Sequence, residues 1–338
     1  MGSSRWSDAF YSAREADRAT TGTSAFVHDH AVKTGVVEAK VHERMDPKGV
    51  KFRESRDSEA HPESRALAVW FDVTGSMGGI PLVLQKKLAG LMAMLIKKGY
   101  IAHPQIMFGG IGDASTDPYR GYQTDKAPLQ VGQFESGIEM DDDLGRLFLE
   151  GGGGGQSTES YELAMYFTAR HTAIDCFEKR GEKGYCFLIG DEMPYDFVSK
   201  NEVATLIGDT LQANISIQDV ITELQERYHV FFIIPSGAGH GRDKKVKDKW
   251  ISLLGQNVIM LEDPEAVCET IAMAVGLTEG IIDLASGAGD LKDLGVTGST
   301  VAVVTSALTA YAGSTALARP LAETSGLPEA AGGGATRL

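Results

Sequence analysis

The sequence predicts an α/β fold in which a doubly wound, mostly parallel sheet carries helices on both faces. Short, continuous apolar runs bounded by turn residues are typical of strands buried on both sides. Segments of helical periodicity separate these runs, and such alternation is typical of a parallel sheet joined by crossover helices. The predicted strands are 66–73, 104–113, 128–134 (a weaker edge strand), 184–191, 229–235 and 257–263.

The predicted helices connect these strands. The first begins after Pro81 and places Leu84, Leu88 and Leu91 on one stripe. The acidic residues 141–143 are predicted to be the solvated start of a short helix, where the helix dipole favours them. The remaining predicted helices are 159–179, 199–208, 216–227, 243–254 and 264–277.

The two ends of the chain differ in composition from its centre. Residues 1–64 are polar and weakly periodic, which predicts an extended N-terminal arm; the alternative is an arm that packs on the domain or a neighbour through the apolar Trp6, Phe10 and Tyr11. Residues 281–338 are rich in Ala and Gly, which predicts a loose tail with one marginal helix or strand at 301–312. The predicted domain is therefore 65–280, and the two ends could join copies of the chain into a homo-oligomer.

The composition narrows the classes of function. There are 46 acidic and 32 basic residues, a net charge of −14, which argues against nucleic-acid binding. The three cysteines lie in apolar patterns, so they predict buried thiols in a reducing compartment. No secretory signal pattern opens the sequence, and no apolar run approaches the ~18–20 residues that span a bilayer. We therefore expect a cytoplasmic protein that does not enter a membrane.

Oxygen-bearing side chains collect where three predicted loops leave the sheet. In an open doubly wound sheet, ligands bind at the carboxyl ends of the strands. Carboxylate and hydroxyl oxygens suit a hard cation, so we expect Mg²⁺, with Mn²⁺ or Ca²⁺ as alternatives. The expected ligands come from two strand ends and from the loop that follows the glycines at 151–155, and they are Asp72, Thr74, Ser76, Ser157, Thr158 and Asp191.

The sequence Asp72-Val73-Thr74-Gly75-Ser76 resembles the DxSxS signature of the metal-ion-dependent adhesion site in von Willebrand factor type A (VWA) domains. The family has a Thr-bearing loop after glycines, which either Ser157 or Thr158 could match. Its Asp-Gly-x-Pro element is similar to residues 191–194, with Glu192 in place of the glycine, a departure expected either to alter the loop shape or to add negative charge near the metal. The resemblance covers about 65–280.

The resemblance implies a Rossmann-like fold and a metal-dependent protein-binding module without catalytic residues. An Asp or Glu of a partner protein would complete the metal shell. Intracellular bacterial and phage domains of this type often act as adaptors beside a separate MoxR-type AAA+ ATPase, which is thus a candidate partner. Asp113 ends the second predicted strand, where it could orient metal-bound water or simply form a turn.

Two other functions remain open. Asp72-Val73-Thr74-Gly75-Ser76 also resembles the nucleophile motif of haloacid dehalogenase-like phosphatases, in which Asp72 would attack phosphorus. Thr74 occupies the position of the second acid that soluble members of that group need. Alternatively, the chain is a structural subunit that assembles through its terminal segments. Phosphate binding by the glycine run is disfavoured, because Gln156 stands where a P-loop requires glycine and no lysine follows.

Overall fold

A computed structural model describes residues 4–115, 126–151 and 157–318 of the chain. Within these residues, the strands are β1 (Arg53–Ser55), β2 (Arg65–Asp72), β3 (Pro104–Ile111), β4 (Leu129–Val131), β5 (Thr158–Glu159), β6 (Thr172–Ile174), β7 (Gly184–Ile189), β8 (Met193–Pro194), β9 (Phe197–Val198), β10 (Ile215–Ser216), β11 (Tyr228–Pro235) and β12 (Val258–Leu261).

Six of these strands form the central sheet in the order β12-β11-β7-β2-β3-β4. All neighbours in it are parallel except β4, which pairs antiparallel with β3 at one edge. Three two-stranded pairs flank the sheet: β1 with β6, β5 with β8, and β9 with β10. The predicted mixed α/β architecture, with a mostly parallel sheet and an edge strand near 128–134, is confirmed.

Helices cover both faces of this sheet. In chain order they are α1 (Asp8–Thr21), α2 (Val27–Lys33), α3 (Ile80–Lys86), α4 (Leu88–Met92), α5 (Glu139–Gly145), α6 (Tyr161–Arg170), α7 (Asp175–Arg180), α8 (Lys200–Glu202), α9 (Ile217–Arg227), α10 (Lys244–Leu254), α11 (Val267–Glu279), α12 (Leu284–Asp293) and α13 (Gly298–Ala318). A π-helical turn extends α4 over Ala93–Lys97, and another extends α8 over Val203–Ile207.

The core is divided by the sheet into two apolar layers. Successive side chains of a strand point to opposite faces. Leu67, Val69 and Phe71 of β2 therefore join the layer beneath α3, α4 and α11, whereas Ala68 and Trp70 join the layer beneath α6, α9 and α10. Burial on both sides explains why the strands read as continuous apolar runs.

The predicted helix 159–179 is interrupted by a strand. Helix α6 ends at Arg170, β6 follows, and α7 begins at Asp175. The break arises because β6 pairs in parallel with β1 from the N-terminal segment, and the Arg53 backbone N–H donates to the His171 carbonyl at 2.8 Å. Helical periodicity on both sides of 171 concealed this pairing, which depends on residues more than a hundred positions away.

The prediction of an extended N-terminal arm is wrong, and the alternative, an arm that packs on the domain through Trp6 and Tyr11, describes the segment. Helices α1 and α2 lie against the domain and bury Tyr11 and Phe26. Asp141, predicted to be solvated, is fully buried, because the Arg18 guanidinium donates to its carboxylate at 2.5 and 3.0 Å. The Gln85 amide donates to the same carboxylate at 3.1 Å. Asp141, a buried acid of α5, thus anchors the N-terminal segment to the domain.

The prediction of a loose tail is also wrong for the described residues. Helix α12 begins with a capping box at Asp283, and α13 runs through 301–312, the segment predicted as one marginal element. Val304, Leu308 and Tyr311 are buried, and the Tyr311 ring meets that of Phe231 edge-on at 5.1 Å. Residues beyond 318, also predicted to be loose, lie outside the described part.

No helix among the described residues has both the length and the apolar character needed to cross a membrane.

Candidate functional site

The candidate site lies at the carboxyl ends of the neighbouring strands β2 and β7. Asp72 is the last residue of β2, and Asp191 follows β7 by two positions. Because Phe71 is in register with Ile189, both carboxylates emerge at the same edge of the sheet. Both residues are fully buried. The predicted convergence of these two strand ends is therefore present in the structure.

Hydroxyl groups connect the two carboxylates. The Thr74 hydroxyl donates to Asp72 Oδ1 at 2.5 Å, and the Thr74 backbone N–H donates to the same oxygen at 2.7 Å. The Ser76 hydroxyl lies 3.2 Å from that of Thr74 and donates to Asp191 Oδ1 at 2.7 Å. Four of the expected ligands thus form one continuous chain of oxygen atoms, which we call the carboxylate–hydroxyl chain.

Backbone and aromatic groups fix the far oxygens of both acids. The Tyr161 hydroxyl donates to Asp72 Oδ2 at 3.1 Å, and the His240 N–H donates to Asp191 Oδ2 at 2.6 Å. Gly190 makes room for this tyrosine, since a Cβ at Gly190 would collide with the Tyr161 hydroxyl. Sequence reasoning missed Tyr161 and His240, because neither belongs to a recognisable motif.

The glycine-loop residues reach the site only in part. Residues 152–156, which include most of the predicted glycine run, lie outside the described residues. Thr158 is paired with Met193 in the parallel β5–β8 pair, which holds this loop beside the loop of Asp191. Ser157 adopts a left-handed backbone with φ 57°. Within the described contacts, neither hydroxyl hydrogen bonds to the carboxylate–hydroxyl chain, so the choice between Ser157 and Thr158 stays open.

Two further acids flank the carboxylate–hydroxyl chain. Glu192 and Glu159 are buried, and the Oε2 atom of each has no hydrogen-bond partner, while Glu192 Oε1 lies 3.6 Å from His240 Nε2. Burial raises the pKa of both, and for Glu159 the negative charge of Asp72 adds to the rise. Glu159 could have been suspected from the sequence, because it directly follows Thr158.

The pKa of Asp72 reflects both its burial and the negative charge of neighbouring acids. Burial raises the pKa of Asp72 to about 8, although hydrogen bonds from Thr74 oppose that rise. The charges of Glu192 and Asp191 raise the pKa further. Like charges held together in a dry site disfavour ionisation in this way. The arrangement therefore costs free energy unless a proton or a cation compensates it.

Asp113 is buried one strand further along the sheet. Its Oδ1 accepts from the Tyr195 hydroxyl at 3.0 Å and from the Ser115 backbone N–H at 2.8 Å. The second bond is the turn-forming contact that the sequence allowed. Asp113 also raises the pKa values of Glu159 and Glu192 through its charge, which indicates that it lies near the same acids.

The described acidic side chains do not form a metal site on their own. Across residues 4–115, 126–151 and 157–318, no three His, Cys, Asp or Glu side chains are arranged to hold a metal ion by themselves. A cation in this region would therefore depend on the two carboxylates and the hydroxyls of the carboxylate–hydroxyl chain, rather than on a cluster of carboxylates.

A neighbouring buried acid provides a test of stability against pH. Glu162 is fully buried, its Oε2 accepts from the Tyr195 N–H at 3.3 Å, and its Oε1 has no partner. Burial raises its pKa well above the ordinary value. The folded state therefore keeps a proton that the unfolded state has lost, and stability falls as pH rises above the unfolded pKa.

We expect Glu162→Gln to remove this contribution. In EDTA, the free energy of unfolding of the unmodified chain should decrease as the pH rises from 5 to 8. Glu162 accounts for up to about 1.4 kcal/mol of that decrease per pH unit. Urea denaturation at each pH measures the slope, which should be flatter for Glu162→Gln. Glu226→Gln, an exposed acid of α9, is the control and should keep the original slope. An unchanged slope for Glu162→Gln would contradict the expectation.

No protein-family model and no curated protein matches the sequence. Among solved structures, the chain is similar to the pilus adhesin SpaC of Lactobacillus rhamnosus GG in an open conformation, with 11% identity and a TM-score of 0.41 over 68% of this chain and 31% of the adhesin. It is also similar to proximal thread matrix protein 1 of the mussel byssus, with 10% identity and a TM-score of 0.39 over 70% of this chain and 47% of that protein. The chain thus spans about a third to a half of these proteins. Similarity at this level identifies neither family nor activity.

Proposed function

We propose that the chain is a VWA-like module that binds a divalent cation and, through it, an acidic side chain of a protein partner. The cation is Mg²⁺, with Mn²⁺ and Ca²⁺ as alternatives. Asp72, Thr74, Ser76 and Asp191 hold it together with Ser157 or Thr158. The DxTxS sequence at the end of β2 and the mostly parallel sheet both support this proposal.

One observation carries the proposal. Two fully buried carboxylates, Asp72 and Asp191, stand at adjacent strand ends. Among the described residues no Lys, Arg or His side chain forms an ion pair with either, and the His240 imidazole faces the neighbouring Glu192 instead, at 3.6 Å. Burying ionised carboxylates without a counter-charge costs several kcal/mol. A divalent cation offsets that cost, and the hydroxyls of Thr74 and Ser76 lie where neutral ligands would be needed.

The chemistry of the donor atoms fits a hard cation. All the ligands are oxygens, and only two of them are carboxylates. When bound, the cation keeps net positive charge and offers a position for an additional anionic oxygen. The partner is therefore a protein that presents an Asp or Glu. A MoxR-type AAA+ ATPase is a further proposal that depends on the family resemblance alone.

Glu192 departs from the family pattern at this site, and Glu159 lies near it. Both acids lie beside the carboxylate–hydroxyl chain, and each has an unpartnered oxygen. Burial raises the pKa of both, so a bound cation favours their ionised forms and is held more tightly by them. Whatever negative charge they carry without the cation opposes the approach of an acidic partner. Partner binding is therefore expected to depend steeply on the cation.

Calorimetric titration with Mn²⁺ tests the cation site directly. Asp191→Asn and Ser76→Ala each remove one expected ligand, and Asp191→Asn should weaken Mn²⁺ binding at least about 100-fold, because even indirect partners of metal ligands contribute 10–100-fold. Ser252→Ala, a hydroxyl on α10 that donates to the Lys249 carbonyl, is the matched control and should bind as the unmodified chain does. Equal Mn²⁺ affinity for the unmodified chain and Asp191→Asn would refute the proposal.

A further inference from the structure

The carboxylates of Asp72 and Asp191 are held in the same way. Oδ1 of each acid accepts from a hydroxyl of the carboxylate–hydroxyl chain, that of Thr74 for Asp72 and that of Ser76 for Asp191. Oδ2 of each acid accepts from a donor outside that chain. This donor is the Tyr161 hydroxyl for Asp72, at 3.1 Å, and a backbone N–H of the loop after β11 for Asp191, at 2.6 Å. One oxygen of each acid therefore contacts the hydroxyls where a cation would bind, and the other is engaged elsewhere.

The Tyr161 hydroxyl is held in place by packing that does not involve Asp72. The Tyr161 side chain is fully buried, and its ring meets those of Phe232 and Trp250 edge-on at 5.3 and 5.4 Å. Its hydroxyl lies against the backbone of Gly190, where a Cβ atom would collide with it. Because these contacts fix the ring independently of the acid, the hydroxyl is a rigid donor to Asp72 Oδ2.

A carboxylate can offer a cation one of its oxygens or both. Mg²⁺ demands octahedral geometry at about 2.0–2.1 Å, and it takes one or two carboxylates together with several waters. Ca²⁺ takes about 6–8 oxygens at about 2.3–2.6 Å and readily accepts both oxygens of one carboxylate. Selection between these two cations therefore depends on how many oxygens the acids offer and on how freely the acids turn. A rigid donor on one oxygen of Asp72 restricts both properties.

We infer that Tyr161 is a positioning residue that limits Asp72 to one oxygen towards the cation and thereby favours Mg²⁺ over Ca²⁺. This inference rests on the proposed function and chooses among the cations that the proposed function allows. It concerns Tyr161 rather than the N–H that holds Asp191, because a side-chain hydroxyl can be removed by substitution and a backbone N–H cannot.

A purely structural role of the Tyr161 hydroxyl would have a different signature. The hydroxyl would then only satisfy a buried acid, and its loss would lower stability without changing the preferred cation. Tyr161→Phe separates the two roles, because phenylalanine keeps the packed ring and loses only the hydrogen bond to Asp72. Tyr228→Phe is the matched control, because Tyr228 is also buried and its hydroxyl lies 2.7 Å from that of Thr172. Tyr228 begins β11, at the end of the sheet opposite to the candidate site.

Calorimetric titration of the full chain with Mg²⁺ alone and with Ca²⁺ alone tests the inference. We expect the unmodified chain to bind Mg²⁺ more tightly than Ca²⁺. In Tyr161→Phe, the ratio of the two affinities should fall about ten-fold, the lower end of the effect of removing a group that orients a metal ligand. Tyr228→Phe should keep the original ratio. Urea denaturation in EDTA measures the stability of each variant, so that a loss of stability is distinguished from a change in cation preference.

The outcomes separate the inference from the proposed function. An unmodified chain that binds none of Mg²⁺, Mn²⁺ and Ca²⁺ refutes both. An unmodified chain that binds one of these cations but shows no preference for Mg²⁺ over Ca²⁺ overturns the inference alone, and this result requires no variant to fold. An unchanged ratio in folded Tyr161→Phe also overturns it, as does an equal fall in Tyr228→Phe. If folded Tyr161→Phe binds neither Mg²⁺ nor Ca²⁺, the hydroxyl governs affinity rather than choice, and the inference is again overturned.

Discussion

Asp72→Asn is expected to abolish the stabilisation of the chain by Mg²⁺. A ligand that binds only the folded state stabilises it by about 2.7 kcal/mol when its concentration is a hundred times its dissociation constant. Asp72 is the buried acid at the start of the carboxylate–hydroxyl chain, and an amide in its place removes one of its two negative charges. Thermal unfolding with and without Mg²⁺ measures the effect.

The same variant should not be unstable without the metal. Burial raises the pKa of Asp72 to about 8, so the folded chain in EDTA bears the cost of this group at neutral pH. An amide oxygen still accepts from the Thr74 N–H, and we expect Asp72→Asn in EDTA to be at least as stable as the unmodified chain. A variant that is greatly destabilised in EDTA would instead indicate that Asp72 serves the fold.

Asp143→Asn is the matched control for this comparison. Asp143, on α5, is also a buried acid, and its carboxylate accepts from the Gln133 backbone N–H at 3.0 Å. Within the described residues, it makes no hydrogen bond to the carboxylate–hydroxyl chain. The substitution is expected to lower stability, because Asp143 also pairs with Arg146. It should leave the response to Mg²⁺ intact. Loss of the Mg²⁺ response in both variants would refute the assignment of Asp72 as a ligand.

Removal of residues 281–338 is expected to prevent folding. Helix α13 buries Val304, Leu308 and Tyr311 against the sheet and α11, and the Tyr311 hydroxyl lies 2.7 Å from that of Thr278. Each such side chain contributes about 1.5–3 kcal/mol when it is buried. A typical domain has a free energy of unfolding of about 5–15 kcal/mol. Losing these side chains together with the other contacts of α12 and α13 would remove most of it. Circular dichroism and the yield of material in solution check this outcome.

Point variants give the same prediction a graded form. Leu308→Ala empties a fully buried position and should cost about 2–4 kcal/mol in urea denaturation. Ser306→Ala changes an exposed position two residues earlier and should lie within about 0.5 kcal/mol of the unmodified chain. If the shortened chain folds normally and Leu308→Ala has no effect, the C-terminal helices do not belong to the domain.

The sequence was sufficient for the features that are encoded locally. Strands buried on both faces appear as continuous apolar runs, so β2, β7 and β11 were predicted close to their observed bounds. The positions of Asp72 and Asp191 followed from those strand ends. Neither inference required knowledge of a distant contact, which is why both could be made from residue order alone.

The features that depend on distant partners could not be predicted. Tyr161 reaches Asp72 only because α6 presents that side chain to the sheet and a glycine at 190 leaves space for it. The N-terminal segment was predicted as an extended arm, with packing through Trp6, Phe10 and Tyr11 as the alternative, and no pattern in the sequence shows that Asp141 and the Gln85 carbonyl are its anchors. Such long-range pairs leave no periodicity in either segment.

The docking of the N-terminal segment has a consequence for how the chain is made. Residues 4–64 leave the ribosome before their partners, which are Gln85, the carbonyl of Val131 that the Arg53 side chain contacts at 3.0 Å, Asp141 and β6. The N-terminal segment therefore completes its contacts only after residues 172–174 of β6 have been synthesised. Residues 4–64 thus complete their native contacts later than their position in the sequence suggests.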